Sequence, residues 1–343
     1  MKIALVGVSG YSGMVLFQML RHHSHVTKIT LYGHKLAKPL PLSEVVPSFI
    51  NDDPYQVLPY DSQKIMENND LVFFATSSGV TAHLAVPFID HKFPVIDLSG
   101  DFRLKEPGKY EKWYHKTAAR LKDLKQAHYG LVEFNDAKTQ RYIANPGCYA
   151  TAVLLGLAPL IRNHLVDADS IIVDAKSGTS GAGKSLSSLT HFFQVNDNLQ
   201  LYKVNQHQHI PEIVQQLKKW DTNVNAIQFS TTLLPITRGI MATIYAKTNY
   251  HTTKKKIAEA FQTTCVSKAF VRYTGEKLPM VTQVVGTNYC DLGVIYNEVT
   301  NTVMVVSVID NLVKGAGGQA IQNFNQMYGF AGSDGLPTDA MLP

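Results

Sequence analysis

The chain opens with a run patterned for burial on both faces. Residues 2–6, Lys-Ile-Ala-Leu-Val, are almost continuously apolar, as in a strand of a parallel sheet. The turn Gly7-Val8-Ser9-Gly10-Tyr11-Ser12-Gly13 follows, and residues 14–22 then take up helical spacing. Further apolar runs at 27–32, 70–76, 94–99 and 141–144 alternate with helix-like or turn-rich stretches. That alternation predicts a doubly wound α/β sheet of the Rossmann type. Residues 110–125 are charged and aromatic and predict a surface helical excursion. Pro146-Gly147 ends the 141–144 strand, and 149–160 is rich in Ala and Leu over a helical length. Cys148 is therefore predicted in the first turn of a helix, just past a tight turn.

The patterning then changes character. Strands are predicted at 170–175, 229–234, 239–246, 281–285, 293–297 and 302–308. Helices are predicted at 211–220, with Pro211 at an early position, at 250–270 and at 315–328. This density of strands predicts an α+β domain with a largely antiparallel sheet. A chain of 343 residues fits two domains.

Composition narrows the partners. With 45% hydrophobic and 17% charged residues, a packed globular core is expected. The net charge of +5 is mild and dispersed, and Lys254-Lys255-Lys256 reads as a solvated helix face, so no nucleic-acid partner is expected. The positive balance suits an anionic substrate and a phosphorylated cofactor. Three cysteines argue against a disulfide framework and for a reducing, cytoplasmic setting. The N-terminus runs straight into the glycine turn and does not read as a signal peptide. No apolar run reaches about 18 residues, so no membrane span is expected.

Candidate chemistry falls into five places. Gly7, Ser9, Gly10, Tyr11, Ser12 and Gly13 form a GxxGxxG turn that can bring a dinucleotide pyrophosphate to a helix N-terminus. The second strand ends in Tyr32-Gly33-His34-Lys35, without the acid that binds a ribose 2′-hydroxyl in NAD-preferring folds. Lys35, with His34, can pair instead with a 2′-phosphate, which favours NADP; the alternative is a solvated surface lysine. Cys148 at a helix start would have its thiolate stabilised and act as a nucleophile; the alternative is an inert buried thiol. His207 and His209 lack a third ligand at metal spacing, so no metal is expected. Arg238 lies at the break between two strands and can clamp a carboxylate in a two-pronged hydrogen bond or close an interdomain ion pair. Two further stretches read differently. Asp97 to Leu104 packs two acids and an arginine into a turn, as a local ion pair closing a loop would. Gly178 to Ser185 spells GxxxxGKS, a P-loop pattern, with a strand before it and helix-like 186–193 after it. A P-loop ATPase would leave both the first βα unit and the cysteine turn unexplained.

Taken together, the glycine turn, Asp97 to Leu104, Tyr129-Gly130-Leu131 with Glu133, and Asn145-Pro146-Gly147-Cys148-Tyr149 form an ordered series. It continues through Ser177 to Gly183, His207-Gln208-His209-Ile210-Pro211-Glu212-Ile213, Pro235-Ile236-Thr237-Arg238-Gly239 and Asp310 to Ala316, then Gly318-Gln319-Ala320. On these motifs the chain resembles the N-acetyl-γ-glutamyl-phosphate reductases, the arginine-pathway branch of the semialdehyde dehydrogenase group. It departs at Lys184 and Gln208, where the family often has Arg, and at Ile210, where it has Thr. The resemblance implies an NADP(H)-binding domain over 1–147 and 312–343, and a catalytic and oligomerisation domain over 148–311 in a homodimer or homotetramer. It implies that Cys148 attacks a small anionic acyl phosphate and that NADPH reduces the resulting thioester. His209 would handle the proton, with His207 second and Glu212 as orienter. It further implies cofactor contacts from Ser77, Gly178 and Asn311, substrate contacts from Asn145, Ser180 and Arg238, and a Ser177–Gly183 loop whose amides hold the acyl phosphate. The nearest rivals are aspartate-semialdehyde dehydrogenase and a carrier-linked aminoadipyl-phosphate reductase, and further off a non-catalytic Rossmann binding protein. The His-x-His-x-Pro-Glu and Arg-Gly motifs disfavour the first, and the mild charge disfavours the second.

Overall fold

Residues 3–6 have no exposed side chain, and the strand they form lies near the middle of an eight-stranded sheet. The computed structural model describes residues 1–50 and 55–341. They fall into two units: Met1–Pro146 with Ala316–Leu336, and Gly147–Gly315 with the stretch from Pro337. The chain thus re-enters the first unit at Ala316 and leaves it at Pro337, where the sequence reading had it return at 312 and stay.

The first unit holds β1 (Lys2–Val6), β2 (Lys28–Gly33), β3 (Leu40–Pro41), β4 (Gln56–Pro59), β5 (Leu71–Phe74), β6 (Val95–Asp97), β7 (Ala127–Tyr129) and β8 (Tyr142–Ala144). Their order is β3-β4-β2-β1-β5-β6-β8-β7. Every pair is parallel except β3 with β4. Strand order reverses at β1, so the carboxyl ends of β2, β1 and β5 lie side by side, where such sheets bind ligands. The glycine turn makes this join possible. Gly7 has φ +103°, and a Cβ on it would lie 2.5 Å from the Ala75 carbonyl oxygen. A Cβ on Gly13, inside the helix Tyr11–Arg21, would lie 2.1 Å from the Gly7 carbonyl oxygen.

The helix Gly318–Tyr328 completes this unit with a polar inner face. Gln319, Asn323 and Asn325 are fully buried. Asn323 donates to the Gly130 carbonyl at 2.8 Å, and Asn325 bonds the His23 ring at 2.7 Å. Gly130 has no room for a side chain, because a Cβ there would lie 2.7 Å from Asn323 Nδ2.

The second unit is α+β. Its strands are β9 (Ile172–Ser177), β10 (Gln200–Tyr202), β11 (Gln228–Leu233), β12 (Ile240–Lys247), β13 (Val271–Tyr273), β14 (Cys290–Asn297) and β15 (Thr302–Ile309). They pair in the order β10-β11-β9-β12-β15-β14-β13, antiparallel except β11 with β9 and β13 with β14. The helix Cys148–Ile161 is apolar all round, and every residue after Cys148 is buried, as expected of a core helix. Gly156 lets it close on the sheet, since a Cβ there would lie 3.0 Å from Ile244 Cδ1.

Several predicted elements change. Residues 281–285 are no strand: Val281–Gln283 is a 3₁₀ turn, with Gln283 Oε1 accepting the Met280 amide at 2.9 Å, and Val284 is buried with Val306 and Val308. A short apolar run can bury itself without pairing, and periodicity alone does not separate the two. The 250–270 helix is limited to Lys254–Cys265, because the Thr253 hydroxyl caps it through the Lys256 amide at 3.3 Å. The 186–193 stretch is broken into a 3₁₀ turn, Ser188–Thr190, and a single α-helical turn, Phe192–Val195, with Leu186, Phe192 and Phe193 exposed. The 110–125 excursion is two helices, Pro107–Tyr114 and Leu121–Gln126. The last helix is preceded by a π turn, Val313–Gly317.

Replacing Gly13 with Ala forces backbone apart at the β1 turn. We expect Gly13→Ala to cost more than about 2 kcal/mol of stability, the scale of core overpacking. Urea denaturation would read this as a lowered midpoint, and an unchanged midpoint would contradict it.

Candidate active site

In the first unit the sequence-predicted cofactor residues gather at the carboxyl ends of adjacent strands. The helix Tyr11–Arg21 begins at Gly10 with no side-chain cap, which leaves its dipole for an anion. Ser9 and Tyr11 are exposed, while Gly10 and Ser12 are partly so. Lys35 is exposed just past β2, and Ser77 is exposed past β5. These residues fit a dinucleotide. Backbone rather than side chain fills the turn, the helix start is open, and a lysine stands where an acid would oppose a 2′-phosphate.

Asp97 to Leu104 serves as a brace. Arg103 Nε donates to the Asn145 carbonyl at 2.8 Å, and its Nη2 donates to the Leu98 carbonyl at 2.7 Å. Asp101 accepts the amides of Gly79 at 2.6 Å and Ala82 at 2.9 Å, and the Tyr110 hydroxyl at 2.6 Å. Burial and the neighbouring Asp101 push the Asp97 carboxyl up to about 7. Asn145 is fully buried; its Nδ2 donates to the Ala316 carbonyl at 3.1 Å, and its Oδ1 accepts from Asn323 at 3.2 Å. Its side chain is thus engaged inside this unit.

In the second unit Cys148 is the first residue of its helix and is partly exposed. Gly147, before it, has φ −72°, a conformation open to any residue. Glycine is needed there for space, because a Cβ would lie 2.3 Å from His209 Nε2. Gly315 approaches from elsewhere in the unit, and a Cβ on it would lie 2.7 Å from Cys148 Cβ. Gly315 belongs to the Asp310 to Ala316 motif, whose spacing carries no sign of a part at the cysteine.

Glu212, fully buried in the first turn of the helix Ile210–Trp220, accepts the Gly147 amide through Oε1 at 2.8 Å. It thereby holds the turn in front of Cys148 and places negative charge at a helix N-terminus, where it is favourable. His209 donates its amide to His207 Nδ1 at 3.2 Å, and the two rings meet edge to face at 4.7 Å. Tyr149 packs edge-on against both, at 5.2 Å and 6.1 Å, and its hydroxyl bonds that of Tyr202 at 2.8 Å. Burial, His209 and Lys203 hold the His207 imidazole well below its ordinary pKa.

The Ser177–Gly183 loop does not offer its amides to a phosphate, which corrects the sequence expectation. The amide of Gly178 goes to the Gly239 carbonyl at 2.9 Å, that of Thr179 to Ile236 at 2.9 Å, and that of Ser180 to Thr237 at 3.0 Å. Those of Gly181 and Gly183 close turns within the loop at 3.2 Å each. Gly178 is required by this packing, since a Cβ would lie 2.8 Å from the Arg238 amide nitrogen. Lys184 and Ser185 are exposed.

Asn311 fastens the same loop: its Oδ1 accepts the Gly239 amide at 2.7 Å, and its Nδ2 donates to Ser180 Oγ at 2.9 Å. Arg238 forms an ion pair with fully buried Asp310 at 3.0 Å, inside the second unit. Asp310 also takes the amides of Gly286 at 2.7 Å, Leu312 at 2.8 Å and Val313 at 3.1 Å. The Asp310 hub was missed; its only signal was an acid at the end of a predicted strand. Among the described residues no cluster of His, Cys, Asp and Glu is placed to hold a metal, and no helix is long and apolar enough to cross a membrane.

Fold and site together define a nucleotide-binding oxidoreductase architecture with a cysteine at the head of a buried helix. The family model for the semialdehyde dehydrogenase NAD-binding domain matches residues 2–142, and that for the semialdehyde dehydrogenase dimerisation domain matches 148–311. The chain belongs to the semialdehyde dehydrogenase family. It is 62% identical over its whole length, and the whole of the relative, to an N-acetyl-gamma-glutamyl-phosphate reductase of Limosilactobacillus fermentum. A protein of that name from Listeria monocytogenes is 51% identical over 98% of both chains. Among solved structures, aspartate semialdehyde dehydrogenase II of Vibrio cholerae, complexed with ASA, shares the fold. It has a TM-score of 0.68 at 15% identity, over 95% of this chain and 98% of that one. The Candida albicans aspartate semialdehyde dehydrogenase with NADP has a TM-score of 0.69 at 12% identity, over 95% and 98%.

A methyl group on residue 147 would displace the His209 ring. We expect Gly147→Ala to lower kcat/KM by about 100-fold, the cost of roughly an ångström of misplacement. Full activity in steady-state assays would show that the close approach is unimportant.

Proposed function

We propose that this chain reduces N-acetyl-γ-glutamyl phosphate to N-acetylglutamate semialdehyde and phosphate with NADPH, a step of arginine biosynthesis. The observation that carries the chemistry is Cys148 at the head of a buried helix, with the His209 ring against the preceding glycine. The end-to-end likeness to reductases of that name supports the substrate.

His209 takes the proton of the Cys148 thiol. The thiolate attacks the acyl carbon, the C–O bond to phosphorus breaks, and phosphate leaves with that electron pair, so a thioester remains on Cys148. When bound, the nicotinamide supplies hydride to the thioester carbon. The oxygen that becomes negative is held by first-turn amides of the Cys148 helix, which have no acceptor within the helix. Collapse breaks the C–S bond, releases the aldehyde, and returns the electron pair to sulfur and the proton from His209. The Gly7–Gly13 turn holds the cofactor pyrophosphate, Ser77 lines the same site, and Lys35 pairs with the 2′-phosphate. Arg238, whose guanidinium is paired with Asp310 and whose side chain is partly exposed, binds the substrate carboxylate. Asn145, Gly178, Ser180, Asn311 and Glu212 act as the frame that fixes these groups. The second unit associates into a homodimer or homotetramer, and the protein works in the cytoplasm.

Cys148→Ser should abolish phosphate-dependent NADP reduction with N-acetylglutamate semialdehyde, and near-normal turnover would refute the thioester. A preference for β-aspartyl phosphate over acetylglutamyl phosphate would replace the substrate. Lys35→Glu should raise the KM for NADPH at least about tenfold while leaving kcat little changed, since it removes one charged hydrogen bond. An unaltered KM would return Lys35 to the solvated surface.

A further inference from the structure

We propose that His207 is a positioning residue: its ring accepts the His209 amide, fixes the His209 imidazole against Gly147, and carries no proton in the reaction. This rests on the reading that Cys148 and His209 are the reacting pair.

The hydrogen bond sets the tautomer. The His209 amide points at His207 Nδ1 over 3.2 Å, so that nitrogen must present a lone pair. The ring's single proton then sits on Nε2. Protonating Nδ1 would set two N–H groups against each other and break the contact.

The surroundings oppose that protonation too. His207 is 4% exposed and His209 is 7% exposed. Among the described residues, the titratable groups against His207 are Tyr149 from the cysteine helix, Tyr202 from β10, and Lys203 and His209 from its own segment. The two tyrosine hydroxyls bond each other, Glu212 holds the Gly147 amide, and Lys203 reaches Gln208 at 3.1 Å. Burial, His209 and Lys203 all push His207 toward its neutral form.

Packing then fixes the direction of the lone pair. Tyr149 at 5.2 Å, Tyr202 at 6.1 Å and Phe229 at 5.9 Å hold the His207 ring from three separate elements. A single hydrogen bond two residues along passes that rigidity to His209. The paired histidines divide the work: one is caged and neutral, and the other exchanges the proton.

Asparagine offers an acceptor oxygen near the place of Nδ1 but cannot exchange a proton. His207→Asn should keep kcat, and the pH midpoint of Cys148 alkylation by iodoacetamide, within about threefold of the wild type, whereas misplacement of about an ångström costs far more. His207→Leu should lose roughly 10- to 100-fold in kcat, because the acceptor is gone. His209→Asn should lose about 10²- to 10⁴-fold and move the alkylation midpoint upward. Should His207→Asn match His209→Asn in both readouts, or His207→Leu match the wild type, the proposal is overturned. In the unaltered protein, ¹⁵N NMR should show His207 Nδ1 without a proton from about pH 6 to about pH 8, the window in which an ordinary histidine titrates. Titration of that ring within the window would overturn it as well. A wild type that fails to reduce acetylglutamyl phosphate would instead defeat the functional reading, while alkylation and NMR still decide the role of His207.

Discussion

One volume cannot be shared: the space at position 147 that a side chain would need is filled by the His209 ring. The turn, the helix behind it and the histidine segment are all fitted to that exclusion. Gly147 has an ordinary φ, so the glycine records a neighbour and not a bend. Because the ring stands against the turn, its position is set by whatever holds the two backbones together. Glu212 does this from one side by taking the Gly147 amide. Gly315 closes from another, against the Cys148 Cβ. The apolar helix Cys148–Ile161 then anchors the arrangement in the core. Its buried residues free it from any amphipathic compromise, so the position of its first turn is fixed by core packing.

A second constraint runs through two adjacent side chains at the end of β15. Asp310 gathers three amides and the Arg238 guanidinium, and Asn311 ties Gly239 to Ser180. A fully buried carboxylate is tolerated only when donors surround it, and here they come from three separate stretches of chain. The same grouping leaves the buried Arg238 Nε without an acceptor among the described residues. The ion pair with a buried acid fixes the guanidinium, so Arg238 is an ordered side chain and not a free one.

Much of this was legible because it is written locally. The parallel-sheet runs, the glycine turn, the Pro-Gly-Cys break and Pro211 at a helix start each follow from rules spanning a few residues. What escaped depends on partners far along the chain. Residues 281–285 have a strand's composition, but they fold into a 3₁₀ turn over Val306 and Val308. The strands β3, β7, β10 and β13 are two or three residues long and have too little sequence to show a period. Nothing local signals that Glu212 takes the Gly147 amide. That choice is made by a fold that brings 147 and 212 together, and no spacing rule contains it.

The GxxxxGKS stretch shows where letters and backbone part. A phosphate loop works because successive amides have no acceptor within the chain and converge on the ligand. Here Gly178, Thr179 and Ser180 give theirs to the carbonyls of Gly239, Ile236 and Thr237, in effect prolonging the pairing beyond β9. Each amide can be used once. Amides already paired to neighbouring backbone in this way are not free to converge on an anion, whatever the sequence spells. The residues after it differ too: a 3₁₀ turn at Ser188–Thr190 and a single exposed α-helical turn at Phe192–Val195 stand where a phosphate loop would run directly into a long helix. The bonding of Gly178, Thr179 and Ser180 therefore tells against the nucleotide-hydrolysing reading on physical grounds. The helices that start after Gly10 in the first unit and after Gly147 in the second have no side-chain cap, and their first-turn amides have no acceptor within the helix.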